Sequence, residues 1–427
     1  MTGAAAPRPD VVVVGGGAIG LASAWRLAQR GLAVTIVDPA PGGGASAVAA
    51  GMLAPVTEAR PGEEDLLRLA LASWSRWPAF AAEIEASLPS DDEARSAGDG
   101  EAGAGDGDAG GAAETAGDGG PAAPGSAIGY RADGTLVAAL DADDRAALDE
   151  LVARQRSLGL DVTPLRGREA RSLEPALAPG VRAGALAAGE RSVDPEALVA
   201  VLRRLTAAAG VATVAASVER IALDGAGRRA TGVVLSSGET LAADHVVLAA
   251  GTWAGRIAGL PDAARPPVRP VKGQILTLRL PPGEPLLTRT VRGIVRGSSI
   301  YLVPRGDGRI VAGATVEERG WDTRVTAGGA YELLRDTLTL VPGLDDAELV
   351  AARTGLRPGS PDDRPLIGSA GIDGLVVAAG HYRNGILLTP ITAEAVAAAV
   401  AGDPLPDEVG ACDPRRFAAS HHAGAEP

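Results

Sequence analysis

The pattern of hydrophobic positions is clearest at the start of the chain, where it predicts one βαβ unit. Val11–Val14 form a continuous β-branched run, which is typical of a buried parallel strand. A glycine-rich turn follows, and residues 18–30 continue with helical spacing until Gly31 ends the helix. Residues 33–37 predict a second strand, which is followed directly by Asp38.

The rest of the chain alternates between helical and strand patterns. Apolar residues recur with helical spacing over 64–85, 142–158, 194–209, 331–339 and 386–400. Strand patterns cover 134–140, 231–235, 245–248, 273–278, 299–304, 309–313 and 375–378. Pieces of a dinucleotide-binding fold therefore occur early, in the middle and at the end, and a strand-rich section lies between the last two.

This order predicts an α/β fold, in which a discontinuous Rossmann-like nucleotide-binding domain is interrupted by a β-rich (α+β) substrate domain. We expect the nucleotide-binding domain to comprise residues 8–88, 166–266 and 353–418. The substrate domain then comprises residues 127–165 and 267–352. The tract 91–125 is rich in Gly, Ala and acidic residues without apolar periodicity, so we expect a disordered insert there.

Charge and composition exclude several classes of function. Between positions 90 and 127, nine acidic residues stand against one arginine and supply most of the net charge of −13. No basic stripe is present, which argues against a nucleic-acid partner. No apolar run approaches the roughly 20 residues of a membrane helix, and no signal pattern is visible, so we expect a cytoplasmic protein without a membrane partner. Cys412 is the only cysteine, so neither a disulfide within the chain nor a Cys-based metal site is expected.

The turn after the first strand carries the glycine spacing of a dinucleotide site. Gly15 permits a tight turn, Gly17 allows the backbone to approach a pyrophosphate, and Gly20 permits close packing of helix on strand. The helix N-terminus offers free N–H groups and a partial positive charge to phosphates. Asp38 lies 18 residues after Gly20, where its carboxylate can accept hydrogen bonds from ribose hydroxyls.

Two further segments favour FAD over a nicotinamide cofactor. Residues 244–251 form a strand and turn of the kind that returns to the cofactor in many FAD proteins, and 380–386 form another glycine-containing junction. A helix N-terminus aimed at the flavin from that junction would stabilise its reduced, anionic form. Cys412 lies outside these motifs, so we expect FAD to be held without a covalent bond.

Longer motifs discriminate further between flavoenzymes. They are Ala-Ala-Gly-Met-Leu at 49–53, Pro-Val-Lys-Gly-Gln at 270–274, Tyr-Leu-Val-Pro-Arg at 301–305, Gly-Ala-Thr at 313–315, Gly-Leu-Arg-Pro-Gly at 355–359 and Gly-His-Tyr-Arg-Asn-Gly-Ile at 380–386. In these motifs the chain resembles the glycine oxidases, thiamine-pathway flavoenzymes of the D-amino-acid oxidase superfamily. The resemblance runs nearly end to end apart from the tract 91–125.

The resemblance implies residue roles that spacing alone does not. It implies that Arg357 holds the substrate carboxylate, that Tyr301 lines the same pocket, and that Arg383 lies close to substrate and flavin. Besides the three motif glycines, it implies FAD contacts at Ala18, Ile19, Asp38, Pro39, Ala45, Ser46, Ala50, Gly51, Met52, Val218, Arg383, Asn384, Gly385, Ile386 and Leu387.

The same resemblance implies the reaction. Glycine, and other small amines or D-amino acids, would be oxidised by O2 to the imine and then the 2-oxo acid, with H2O2, by hydride transfer from Cα to flavin N5. The imine would supply thiamine thiazole formation, and the protein would be a homotetramer. A guanidinium suits this chemistry because it clamps a carboxylate bidentately, and no dedicated base is required if the amine arrives neutral. Ser299 and Val316 stand where relatives carry His and Met, which changes the size and polarity of the pocket.

Three alternatives stay open at this stage. The nearest is a D-amino-acid or sarcosine oxidase or dehydrogenase of the same superfamily, because shared motifs do not separate these substrates. A nicotinamide-dependent dehydrogenase would differ in its cofactor. A flavin-binding module without turnover, such as a redox sensor, would not use Arg357 or Tyr301.

Overall fold

The computed structural model describes residues 8–88, 126–283 and 285–418. The helices are α1 (Ala18–Gln29), α2 (Glu64–Ala86), α3 (Ala142–Ser157), α4 (Gly167–Leu173), α5 (Pro195–Ala208), α6 (Ala327–Leu340) and α7 (Thr389–Ala401). The strands are β1 (Val11–Val14), β2 (Val34–Val37), β3 (Met52–Leu53), β4 (Thr135–Ala139), β5 (Thr163–Arg166), β6 (Ala183–Ala187), β7 (Arg191–Ser192), β8 (Ala212–Val214), β9 (Val218–Leu223), β10 (Ala230–Leu235), β11 (Thr240–Ala242), β12 (His245–Leu248), β13 (Arg269–Arg279), β14 (Thr290–Val295), β15 (Ser298–Pro304), β16 (Arg309–Gly313), β17 (Glu348–Gly359), β18 (Leu366–Ser369) and β19 (Leu375–Ala379).

The predicted first strand lies in the middle of a six-stranded sheet with the order β18-β19-β12-β1-β2-β8. β1 pairs in parallel with β2 and β12, and only β18 runs antiparallel to its neighbour. Helices α1, α2, α5 and α7 pack on one face, and the small antiparallel sheet β11-β10-β9 covers the other. The continuous apolar run of β1 is therefore required, because both faces of the strand are buried.

A second, eight-stranded sheet has the order β17-β13-β16-β15-β14-β4-β6-β5. Its strands pair antiparallel except for the parallel pair of β14 and β4. Alternate residues such as Leu276, Ile300 and Leu302 point to one face, where they pack against Leu333 and Leu340 of α6. The other face is free of this helix and borders the site described below.

The predicted α/β fold with a discontinuous nucleotide-binding part is confirmed, because strands of the two large sheets alternate along the chain. Several element ends differ from the prediction. The predicted helix 386–400 begins only at Thr389, after a short 3-10 turn at Tyr382–Asn384, and Pro390 occupies its first turn, where the missing N–H costs nothing. The helix predicted at 331–339 begins earlier, at Ala327, because the Thr326 hydroxyl caps it by accepting from the Gly329 N–H.

Sheet membership also departs from the expected segments. β6 lies within the segment 166–266, and the end of β17 lies within 353–418, yet both pair in the eight-stranded sheet. The hydrophobic pattern shows that a strand exists but does not show which strand it pairs with.

The expected insert 91–125 lies outside the described residues. Within those residues, no helix is long and apolar enough to cross a membrane.

Candidate active site

A cavity of about 650 Å³ lies between the two sheets. A volume of this size is typical of small-molecule sites. We call its border at Gly15, Gly17, Ala18, Asp38, Ser46 and Val218 the nucleotide end. We call its border at Arg292, Ser299, Tyr301 and Arg357 the sheet end. Most residues expected at the site line this cavity: Gly15, Gly17, Ala18, Ile19, Asp38, Pro39, Ala45, Ser46, Ala50, Gly51, Met52, Val218, Tyr301, Arg357, Arg383, Gly385 and Ile386.

At the nucleotide end, glycines bring the backbone of the β1–α1 turn close to its neighbours. Gly15 has φ of +111°, and a Cβ there would overlap the carbonyl of Ala249. A Cβ on Gly20 would overlap the carbonyl of Gly15, so α1 can approach β1 only with glycine at that position. Gly20 does not line the cavity, and its close packing matches the role predicted for it.

The N-terminus of α1 is open towards the cavity. No side chain caps the helix at Gly17. The Ser46 hydroxyl accepts from the Ala18 N–H at 3.1 Å, so a second polar group lies beside the helix end. The Asp38 carboxylate accepts from Gly16 N–H and Ala40 N–H, both at 2.7 Å, which fixes it at the end of β2.

These features fit a dinucleotide cofactor. A helix N-terminus whose N-cap residue is glycine can bind phosphate, a fixed carboxylate can accept from ribose hydroxyls, and the glycine cradle leaves room for both. The residues that would hold the group are the lining residues of the nucleotide end together with those of the 380–386 loop.

Two residues expected to contact FAD lie away from the cavity wall. Asn384 is buried and borders a much smaller neighbouring cavity. Leu387 is buried in the core, where its carbonyl accepts from the Ser73 hydroxyl at 2.7 Å and the Trp77 indole at 2.8 Å. Asn384 ends the 3-10 turn and Leu387 lies between that turn and α7, so neither belongs to the helix that the sequence predicted from Ile386.

At the sheet end, two glycines make a floor on which larger side chains lie. Gly273 of β13 lies under the guanidinium of Arg357, and Gly313 of β16 lies under the phenol of Tyr301. A Cβ at either glycine would overlap the side chain above it. The pairing register places Gly273, Gly313, Tyr301 and Arg357 on the same face, opposite α6. The motifs of 270–274 and 313–315 therefore provide space for the two functional side chains.

Arg357 is oriented by backbone carbonyls instead of carboxylates. Its Nη1 donates to the Thr315 carbonyl at 3.0 Å and to the Lys272 carbonyl at 3.4 Å. In the part of the chain that the structure describes, no acidic side chain pairs with it. A fixed guanidinium with unused donors that face a cavity has the geometry to bind a carboxylate.

The Tyr301 phenol lies between two positive charges. Burial raises the pKa of this phenol, and the charges of Arg357 and Arg292 oppose that rise, whereas Glu58 adds to it. The net direction is upward, so the hydroxyl keeps its proton near neutral pH and can donate a hydrogen bond into the cavity.

Arg383 lines the cavity as expected, but its charge is already compensated. Its Nη2 donates to the Glu63 carboxylate, and its Nε lies 3.8 Å from Glu58. Two of its buried nitrogens, Nε and Nη1, have no hydrogen-bond partner among the described residues. Among the described residues, Arg357 differs from Arg383 in having no acidic partner.

Two further charged residues at the sheet end, Arg292 and Glu58, were not predicted from the sequence. Arg292 lies directly across from Tyr301 in the pairing of β14 and β15, and its Nη1 donates to Glu58 at 2.8 Å. Glu190 positions the loop that carries Glu58, because its carboxylate accepts from Thr57 N–H at 2.7 Å and from the Thr57 hydroxyl at 2.8 Å. No motif marks these residues, and only the register of two strands brings Arg292 to the cavity.

Comparison with known proteins agrees with this geometry. The family model described as "FAD dependent oxidoreductase" matches residues 10–99 and 121–399. A glycine oxidase from Geobacillus kaustophilus is 34% identical over 394 residues, which cover 91% of this chain and 92% of that protein. A crystal structure of glycine oxidase from the same species superposes with a TM-score of 0.78 at 32% identity, covering 96% of this chain and 98% of the other. An iminodiacetate oxidase from Chelativorans sp. BNC1 has a TM-score of 0.77 at 28% identity, covering 95% and 98%.

The family match extends over most of the chain and passes over residues 100–120, within the tract expected to be an insert. It includes both halves of the cavity, and the nucleotide end fits the cofactor that the family uses. The nicotinamide alternative is thereby excluded. The chain belongs to the family of FAD-dependent oxidoreductases, and FAD is its cofactor.

Proposed function

We propose that this protein is an amino-acid oxidase that acts on glycine and similar small amines. The observation that supports the proposal is Arg357, a fixed guanidinium that faces the cavity beside Tyr301 and has no acidic partner among the described residues. Glycine oxidases among the relatives act on a substrate of this type, a small amine with one carboxylate.

In the proposed reaction, Arg357 binds the substrate carboxylate and thereby fixes the position of Cα. Tyr301 donates a second hydrogen bond from its protonated hydroxyl. FAD, held by the residues of the nucleotide end and the 380–386 loop, would supply the two-electron acceptor for the hydride of Cα, with O2 as the final oxidant. Glycine loses two electrons and two protons to give the imine, O2 gains them to give H2O2, and water converts the imine to glyoxylate and ammonia.

The cavity residues suggest that the amine must be neutral when it reacts. Glu58 is paired with Arg292, and Asp38 accepts backbone hydrogen bonds at the far end. Burial lowers the pKa of His381 to about 3, and its Nε2 contacts the Thr392 hydroxyl at 3.1 Å, so it is a poor proton acceptor. We therefore expect the rate of flavin reduction to rise with pH as the free amine becomes more abundant.

Anaerobic mixing tests the proposal. The purified yellow protein is mixed in turn with glycine, sarcosine, D-alanine and D-proline, and flavin bleaching is followed together with aerobic H2O2 production. Bleaching by glycine at a rate that matches peroxide formation supports a glycine oxidase. Bleaching only by sarcosine or D-amino acids would assign the enzyme to that sibling activity instead. Bleaching by none of them contradicts the role of Arg357 and favours a flavin module without turnover.

Two wider proposals rest on the resemblance of the motifs. We propose that the imine product supplies formation of the thiamine thiazole, and that the protein is a cytoplasmic homotetramer. Disruption of the gene should then impose a thiamine requirement, and light scattering of the holoenzyme should give four times the mass of one chain. Growth of the disrupted strain without thiamine would contradict the role in thiazole formation. A monomeric mass in light scattering would contradict the homotetramer.

A further inference from the structure

The sheet end contains a second guanidinium that the proposed reaction does not use. Arg292 lies on β14 directly opposite Tyr301, so both side chains point to the face that borders the cavity. Directly paired residues on neighbouring strands have Cβ atoms about 5 Å apart. Arg357 lies on the other side of Tyr301, towards β13. The three side chains therefore follow one line across the sheet, with the phenol between the two guanidiniums.

Arg292 uses little of its hydrogen-bonding capacity. A guanidinium has five N–H donors. Within the described residues, Arg292 makes a single hydrogen bond, from Nη1 to Glu58. Its remaining nitrogens are not among the buried polar atoms that lack a partner, and its side chain keeps 15% of its surface exposed. Donors of Arg292 are thus accessible from the cavity.

Arg292 shares its carboxylate partner with another guanidinium. Glu58 is shared, because it also lies 3.8 Å from Arg383, whose other partner is Glu63. An exposed arginine at the edge of the cavity adds a further positive charge. Four arginines border this end of the cavity, and three carboxylates lie beside them, of which Glu58 alone lines the cavity wall: Arg60, Arg292, Arg357 and Arg383 with Glu58, Glu63 and Asp363.

Space for a second anionic group exists beside Arg292. Ser299 is two residues before Tyr301 on β15, so it lies diagonally from Arg292 on the same face. It lines the cavity with a small, exposed side chain. Its hydroxyl can donate to a carboxylate, and the position carries no bulk that would block one.

We propose that Arg292 binds a second carboxylate, and that the preferred substrates are small amino acids with two carboxylates. One carboxylate binds Arg357, the other binds Arg292 with help from Ser299, and the amine lies between them. The second carboxylate belongs either to an N-carboxymethyl group or to a short side chain. This inference rests on the proposed function, because it specifies the substrate class of the same site.

The first test compares matched substrates on the FAD-loaded, full-length enzyme. Iminodiacetate is paired with sarcosine, which lacks its second carboxylate, and D-aspartate is paired with D-alanine. We expect kcat/KM to be at least about 10-fold higher for one dicarboxylate than for its partner, in line with one charged hydrogen-bonded contact. The pair that shows the preference identifies the position of the second carboxylate. If neither dicarboxylate has a higher kcat/KM than its own partner, while the flavin is still bleached, the inference is overturned and the proposed function stays intact.

A binding test does not depend on turnover. Diglycolate and methoxyacetate are ether analogues of iminodiacetate and sarcosine and carry no amine to oxidise. Their dissociation constants are measured from the perturbation of the flavin spectrum. We expect diglycolate to bind at least about 10-fold more tightly. Equal affinity would contradict a second carboxylate site even if no amine reduces the flavin, so failure of the inference and failure of the proposed function can be distinguished.

Variants assign the preference to Arg292. Arg292→Gln should bring two ratios close to one: the ratio of kcat/KM within a substrate pair and the ratio of the dissociation constants of the two ether analogues. Arg292→Lys should restore part of each ratio. Glu58→Gln should increase both ratios, because it removes the carboxylate that competes for Arg292. Arg353→Gln is the matched control, because Arg353 lies outside the cavity wall and pairs with Glu196. FAD content and melting temperature show whether each variant folds. A preference that survives in folded Arg292→Gln, or that falls equally in Arg353→Gln, would overturn the assignment.

Discussion

At the nucleotide end of the cavity the wall is mostly backbone, whereas at the sheet end it is side chains. The nucleotide end comes from one short stretch, in which Gly15–Gly20 and Asp38 lie within 24 residues of sequence. The sheet end combines side chains from separate strands, namely Arg292, Tyr301 and Arg357. The first kind of site tolerates little change in the backbone, and the second depends on strand register and can change its chemistry by single substitutions.

The largest effect should follow from disturbing the nucleotide end. Gly20→Val would place a side chain where the Gly15 carbonyl lies, so α1 could not pack on β1. We expect complete loss of FAD, measured as loss of flavin absorbance from purified protein. Gly225→Ala is the control, because nothing lies within 4 Å of a Cβ at that turn. Full FAD content in Gly20→Val would mean that the backbone at this end is more adaptable than proposed.

A smaller but still large effect should follow at the sheet end. Arg357→Ala should raise KM and lower kcat/KM by about 100-fold or more, because truncating one partner of a buried charged pair costs roughly 2–5 kcal/mol. FAD should stay bound, since Arg357 does not lie at the nucleotide end. Steady-state kinetics and flavin absorbance measure the two properties separately. Arg353→Ala, four residues earlier on β17, should leave both unchanged, and unchanged kinetics in Arg357→Ala would remove this residue from the carboxylate site.

Tyr301→Phe should have a moderate effect. The change removes one hydroxyl and keeps the ring over Gly313, so the floor of the sheet end remains covered. We expect kcat/KM to fall by about 3- to 10-fold, which corresponds to one neutral hydrogen bond of roughly 1 kcal/mol. A loss as large as that of Arg357→Ala would show that the phenol does more than donate this bond.

The buried carboxyl behind the sheet end should affect stability and its dependence on pH. Burial raises the pKa of Glu190 to about 7, against the opposing hydrogen bonds from Thr57. A raised pKa means that the contribution to stability is fully present below about pH 4.5 and is lost as pH rises through 7. Glu190→Gln removes this dependence, so the melting temperature of wild type relative to the variant should fall across that interval by a few degrees. A difference that does not change between pH 4.5 and 7 would contradict the raised pKa.

The smallest effect is expected from removing the acidic tract 91–125. The chain on either side is held together, because the Glu85 carboxylate accepts from the Ser126 hydroxyl and the Ala127 N–H, both at 2.8 Å. Replacing the tract by a short Gly-Ser linker should therefore leave kcat/KM and FAD content within about twofold, since a shorter loop changes closure entropy only slightly. A folded but inactive deletion variant would show that the tract contributes to the site.

The accuracy of the sequence-based expectations follows the same division. The glycine turn, Asp38 and the first two strands were predictable, because their separation along the chain largely fixes their relative positions in the fold. Arg357 and Tyr301 were identified through the resemblance of their motifs, and the structure places both on the cavity wall. The positions of Arg292 and Glu58 at the site could not be predicted from the sequence, because β14 and the 54–60 loop carry no motif. The pairing of Arg383 with Glu63 could not be predicted either, since the two residues are 320 positions apart in the sequence.

The sequence by itself determined the α/β class, the position of the nucleotide site and the family of the enzyme. These properties depend on local periodicity, on glycines at fixed spacing and on short motifs, all of which are contiguous in the chain. The tertiary structure decided which strands share a sheet, which arginines are neutralised, and which donors remain free in the cavity. Such properties depend on contacts between residues far apart in sequence, and a charged side chain becomes a binding group only when its surroundings leave it without a partner.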